Sequence, residues 1–190
     1  RLRDLGYTRV RTTALATPAA LRAESAGFHV IQELALLEHT QPRRTPPRTT
    51  SARTTATATR RLVHSQHTEA SAVDVAAFTT DWALEPRAIA DVCAATPRHR
   101  ARVAGSPVAA YAITGRDAKQ GFLQRLAVAP QHQRRGLGRE LVLDSLHWLA
   151  RWRVQRVLVN TPTDNLAALR LYEQVGFRQL AESLRVYEQV

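Results

Sequence analysis

This chain has one cysteine, one lysine and no methionine among its 190 residues. The single Cys93 excludes an internal disulfide and a four-cysteine metal site. Its largely apolar neighbours, from Ala90 to Ala95, suit a buried structural thiol better than a nucleophile. A reducing cytoplasm fits such a chain, so a cytoplasmic protein is expected. No apolar run approaches the roughly 20 residues that span a bilayer, and no membrane partner is expected. The histidines offer no pair with a third ligand at metal-site spacing, so no metal is expected. Without a methionine, residue 1 reads either as a position inside a longer protein or as a misplaced start. One lysine, Lys119, stands against 26 arginines. That bias points to a GC-rich coding sequence more than to a chemical need.

The charge that is present is unevenly spread. The formal net charge is +11, and no acidic residue occurs from His39 to Thr68. Arg43, Arg44, Arg48, Arg53, Arg60 and Arg61 all fall there, six of the eleven net charges. The stretch is also rich in Thr and Ala, and it holds Pro42, Pro46 and Pro47. With little apolar periodicity it cannot bury much surface, so residues 39–56 read as a solvated basic linker. No aromatic residue is interleaved to stack on bases, and nucleic acid is not the partner this tract suggests.

The most informative stretch is Gln133-Arg134-Arg135-Gly136-Leu137-Gly138. It lies between a strand-like run, Phe122 to Ala129, and a helix-like run, Arg139 to Ala150. Strand, glycine loop, helix is an arrangement in which backbone N–H groups and a helix N-terminus meet an anion. Glycine lets the backbone approach a ligand with no Cβ in the way. Arg134, Arg135 and Arg139 add positive charge, so the loop reads as a pyrophosphate site.

The rest of the chain supplies a frame for that loop. Residues 1–38 read as strand (Tyr7 to Leu15), helix (Pro18 to Ala26) and strand (Phe28 to Leu37). Residues 57–190 read as a fuller α/β unit. Its elements begin with a short strand (Thr57 to His64) and helices over Glu69 to Trp82 and Glu85 to Ala95. A hairpin about Gly105-Ser106-Pro107 joins Arg100 to Ala104 with Val108 to Thr114. Leu137, Leu141, Val142, Leu146 and Leu149 recur at helical spacing after the loop. A short strand follows over Arg156 to Asn160. Asn165 to Val175 is a helix stopped by Gly176, and Phe177 to Val190 is a final strand or hairpin.

In that order the residues resemble the GNAT family of N-acetyltransferases across 57–190. Gln133 to Gly138 is similar to the family's Q/R-x-x-G-x-G/A signature. Leu126-Ala127-Val128-Ala129-Pro130 resembles its central strand and bulge. Asp164-Asn165, Ala168, Leu171-Tyr172-Glu173 and Gly176-Phe177 resemble its C-terminal motif. The resemblance implies an α/β (α+β) fold: a mixed central sheet of about six or seven strands with about four helices. It also implies direct transfer of an acetyl group from acetyl-CoA, the acyl donor, to a primary amine, with no metal. The acceptor could be a small amine or a protein amine. A non-catalytic acyl-CoA sensor or scaffold is the alternative.

The resemblance assigns roles to particular residues. Main-chain groups of Leu126, Ala127 and Val128 would pair with the pantetheine arm, and the Val128 N–H would polarise the thioester carbonyl. Backbone groups of Gln133, Arg134, Arg135, Gly136, Leu137 and Gly138 would hold the pyrophosphate. The side chains of Arg134, Arg135 and Arg139 would assist. Asn165 would bond near the pantetheine arm, or serve only as a helix cap. Tyr172 would protonate the departing thiolate as general acid, or be a core residue. No general base is assigned: Gln124 and Arg125 on the central strand cannot serve. Asp74, Asp81, Glu85, His64, His67 and His147 each read first as surface residues.

A second pattern lies near the start. Ala19-Ala20-Leu21-Arg22 and Gly27-Phe28 echo Ala167-Ala168-Leu169-Arg170 and Gly176-Phe177. Residues 1–38 are therefore expected to be the tail of an earlier, related domain.

Overall fold

The structure is a computed structural model, and it describes residues 6–45 and 58–190. The tract 46–57, most of the expected linker, lies outside the described residues. Within them, one mixed eight-stranded sheet carries five α-helices. The strands are β1 (Val10–Arg11), β2 (His29–His39), β3 (Thr59–Arg61), β4 (Arg98–Ala104), β5 (Ala110–Arg116), β6 (Gln120–Val128), β7 (Arg156–Pro162) and β8 (Arg178–Gln189). The helices are α1 (Thr17–Ser25), α2 (His67–Ala77), α3 (Pro86–Ala94), α4 (Leu137–Arg151) and α5 (Leu166–Gln174). The sheet order is β1-β8-β2-β7-β6-β5-β4-β3. The sheet is therefore slightly larger than expected, because β1 and β2 from the N-terminal segment join it.

The chain divides into two compact units. One holds the residues up to Glu38 with Val159–Val190, the other His39–Leu158. In the His39–Leu158 unit, β3, β4, β5 and β6 form an antiparallel meander. Strand β6 then pairs in parallel with the start of β7, from Gln120↔Arg156 to Phe122↔Leu158. The core is built from Ile89, Val103, Tyr111 and Ile113, all with no exposed surface. Helix α4 seats Leu141, Leu146 and Leu149 in the interior, as the helical spacing predicts. It approaches β6 closely at Gly121, where a Cβ would lie 2.6 Å from Leu149 Cδ1. Its buried carboxylate Asp144 accepts from Arg100 Nε at 2.6 Å and so ties helix to strand.

Helix α2 departs from expectation. It stops at Ala77 rather than reaching Trp82, and Phe78 is extended at φ −123°, ψ 157°. The cause is a cation. The Arg125 guanidinium lies 3.6 Å from the Phe78 ring centroid and donates to the Trp82 carbonyl at 2.7 Å. The segment after Ala77 wraps around it instead of continuing the helix.

In the other unit, β2 and β8 pair antiparallel from His29↔Glu188 to Glu38↔Arg178. The expected strand Tyr7 to Leu15 shrinks to Val10–Arg11 with an isolated bridge at Leu15. The intervening chain bonds to β8 only intermittently, through Thr12 and Leu15. The sequence echo has a structural counterpart. Helices α1 and α5 both end on a left-handed glycine, Gly27 at φ 81° and Gly176 at φ 99°. In each, the following phenylalanine N–H returns to the carbonyl five residues back: Phe28 to Ala23 and Phe177 to Tyr172, both at 3.0 Å. Helix, left-handed glycine, phenylalanine, strand therefore occurs twice in this unit.

Candidate active site

The loop after β6 has the backbone that its sequence suggests. A 3-10 turn over Pro130–His132 follows β6, and Gln133 is extended at φ −63°, ψ 161°. Arg134 then takes φ 60° and Gly136 takes φ 81°. Gly136 is the N-cap of α4, and no side chain caps that end. The first N–H groups of a helix have no intrahelical acceptor. Here they carry the positive end of a 15-residue dipole with no capping side chain. A Cβ built on Gly136 meets nothing within 4 Å, so the space before the helix is open to a ligand. Glycine is thus demanded by the positive φ, not by crowding. The Leu137 side chain is buried and offers only its main chain, Arg134 and Arg135 are exposed, and Gly138 and Arg139 are partly exposed. This donor set fits a diphosphate.

Strand β6 supplies a second element. It pairs with β7 only as far as Phe122, so from Leu123 to Val128 the ladder on that edge ends. The Ala129 N–H donates to the Ala109 carbonyl at 2.9 Å, on the β5 side. Strand alternation then directs the main-chain groups of Leu126 and Val128 to the open edge. Those of Ala127 face Tyr111 of β5, its partner in register. Gln133 Nε2 reaches the Val128 carbonyl at 3.4 Å, a long contact between loop and strand.

The other unit carries Asn165 and Tyr172. Asn165 is the N-cap of α5, accepting from the Ala168 N–H at 3.1 Å. The cap uses its carbonyl oxygen and leaves the amide NH2 as a donor. Tyr172 is 5% exposed, with the Phe177 ring 5.6 Å away. Burial raises its phenol well above the ordinary tyrosine value. The group therefore keeps its proton at neutral pH and can donate it in a hydrogen bond.

Asp74, a base candidate in the sequence, has a different position. It has no exposed surface and accepts from Arg125 Nε at 2.9 Å and from Leu84 N–H at 2.7 Å. The Tyr111 hydroxyl also donates to it, and burial raises that phenol. A carboxylate with these partners is a structural anchor. Arg125, unable to serve as a base, instead organises this cluster. Asp81 and Glu85 are exposed. His64 and His67 stand edge to face with centroids 4.8 Å apart, beside a cleft of about 620 Å³ that also involves Cys93 and His99. Burial, then His64, lowers the His67 pKa. Burial likewise pushes the Cys93 thiol up, as befits a structural residue. No group of three or more metal-ligating side chains occurs among the described residues. No helix among them is long and apolar enough to cross a membrane.

Comparison with known proteins identifies the family of the chain. The Acetyltransferase (GNAT) family profile matches residues 59–177. Mycothiol acetyltransferase of Mycobacteroides abscessus is 48% identical over 57 residues, 30% of this chain and 19% of that protein. The [Ribosomal protein bS18]-alanine N-acetyltransferase of Escherichia coli K12 is 36% identical over 72 residues, 38% of this chain and 49% of that one. The chain thus matches half or less of these relatives' length. A tandem GNAT protein from the clavulanic acid biosynthesis pathway shares the fold. Its TM-score is 0.68 at 14% identity, covering 98% of this chain and 65% of that one. The profile spans well over half of the chain, and the chain belongs to the GNAT acetyltransferase family.

Proposed function

We propose that the chain transfers an acetyl group from acetyl-CoA directly to a primary amine. The observation that carries this reading is the uncapped N-terminus of α4, preceded by left-handed Arg134 and Gly136. The backbone groups from Gln133 to Gly138 bind the pyrophosphate, and Arg134, Arg135 and Arg139 add charge. Leu126 and Val128 offer main-chain groups to the pantetheine arm as an added strand would. The neutral amine attacks the thioester carbon while the Val128 N–H polarises the carbonyl oxygen. The C–N bond forms and the C–S bond breaks. Tyr172 gives its proton to the thiolate and regains one from water, to which the amine has released its own. Asn165 caps α5 with its oxygen and gives its amide to the donor.

One observation favours a second reading, a non-catalytic acyl-CoA sensor: Asp74 is locked by Arg125 and cannot serve as a base. The discriminating experiment is an acceptor screen. Acetyl-CoA is incubated with amino acids, polyamines, amino sugars and peptide N-termini, and free CoA thiol is measured. Acceptor-dependent thiol release is expected. Tight acetyl-CoA binding with no release from any acceptor would favour the sensor.

A further inference from the structure

Helix α4 is 15 residues long, so its C-terminus lies about 22 Å from the pyrophosphate loop. Several basic side chains collect there. Arg116 ends β5, and its guanidinium sits 4.3 Å from the centroid of the Trp152 ring. Trp152, the C-cap of α4, is 53% exposed, unusual for the largest aromatic side chain. The next residue, Arg153, takes φ 55°. It lines a cleft of about 510 Å³ with Arg43, Arg44 and Gln155. Gln155 N–H donates to the Lys119 carbonyl at 2.9 Å, which fixes the β5–β6 turn beside this cleft. The Asp117 carboxylate accepts from the Lys119 and Gln120 N–H groups and lies beside Arg116. Arg43, Arg44, Lys119, Arg151 and Arg153 are all exposed. Helix-dipole compensation accounts for one or two cations at a helix C-terminus, not for five beside a half-exposed indole.

Cations that track a backbone, beside an aromatic face, suit a single-stranded nucleic acid. Arginine also stacks on bases, as it does here on Trp152. We propose that this end of the His39–Leu158 unit binds single-stranded RNA. Arg43 and Arg44, from a tract that itself lacks an aromatic, contact phosphates with Arg153, and Trp152 supplies the missing stacking face. The surface is separate from the acyl-donor loop.

The test is binding of a fluorescent 20-nucleotide single-stranded RNA to the full chain over a salt series. Binding should weaken with salt. The variant Arg43→Glu/Arg44→Glu/Arg153→Glu should lose about tenfold or more in affinity and flatten the log–log salt slope by about 2. Trp152→Ala should lose about fivefold or more for RNA and nothing for inorganic polyphosphate. Saturating acetyl-CoA should leave RNA binding unchanged. Acetyl-CoA affinity and circular dichroism verify that the variants fold. Wild-type RNA affinity in the charge-reversed variant would overturn the proposal. So would competition by acetyl-CoA, or anionic vesicles binding at this surface more tightly than RNA. Equal loss of RNA and polyphosphate in Trp152→Ala would overturn the stacking role.

Discussion

Tyr172 shows how one residue's environment limits its chemistry. Its buried phenol holds its proton more tightly than an exposed one. Tyr172→Phe keeps the ring and its contact with Phe177, so acetyl-CoA affinity should stay at the wild-type value. The turnover number should fall by about 10²-fold. Equal turnover in the two proteins would remove Tyr172 from the acid role. The raised value also fixes a sign. A proton donor with an elevated pKa remains competent as pH rises, so kcat should not decline through the ordinary tyrosine value of about 10. A decline centred there would contradict the assignment. Asn165 separates two roles by substitution. Asn165→Ala removes the cap and should cost about 1 kcal/mol in urea unfolding. Asn165→Asp keeps a capping oxygen but loses the amide donor, so only acetyl-CoA affinity should suffer.

At the scale of elements, the glycine loop, the helix after it and the hairpin were legible because their signals are local. Gly136 needs a positive φ, and the leucines of α4 recur along one face. The end of α2 was not legible. It depends on Arg125, 51 residues from its partner Asp74 in sequence. No periodicity within α2 announces a cation arriving from another strand. The Asp74 carboxylate looked like a surface group for the same reason. The pair makes a stability prediction. Asp74→Ala leaves the partly buried Arg125 without its counter-ion and should destabilise the protein by about 3 kcal/mol in urea denaturation. A change within error would mean that water replaces Asp74 as the partner of Arg125.

On the scale of the whole molecule, the N-terminal segment contributes β1 and β2 to the sheet, which composition and periodicity did not reveal. Leu34, Ala35 and Leu37 are buried on β2, and Tyr187 of β8, in register with Val30, is fully covered. Removing residues 1–45 should therefore expose β8 and lower the unfolding midpoint sharply. An unchanged midpoint in thermal denaturation would show that β2 is dispensable. The excess of arginine looked like a property of residues 39–68, yet Arg116, Arg151 and Arg153 place basic groups at the far end of α4 as well. The central claim remains that the uncapped helix end holds the acyl donor. Calorimetric titration of acetyl-CoA into wild-type protein and the Gly136→Glu variant tests it most directly. One saturable site is expected in the wild type and none in a folded Gly136→Glu variant. Wild-type affinity in that variant would contradict it.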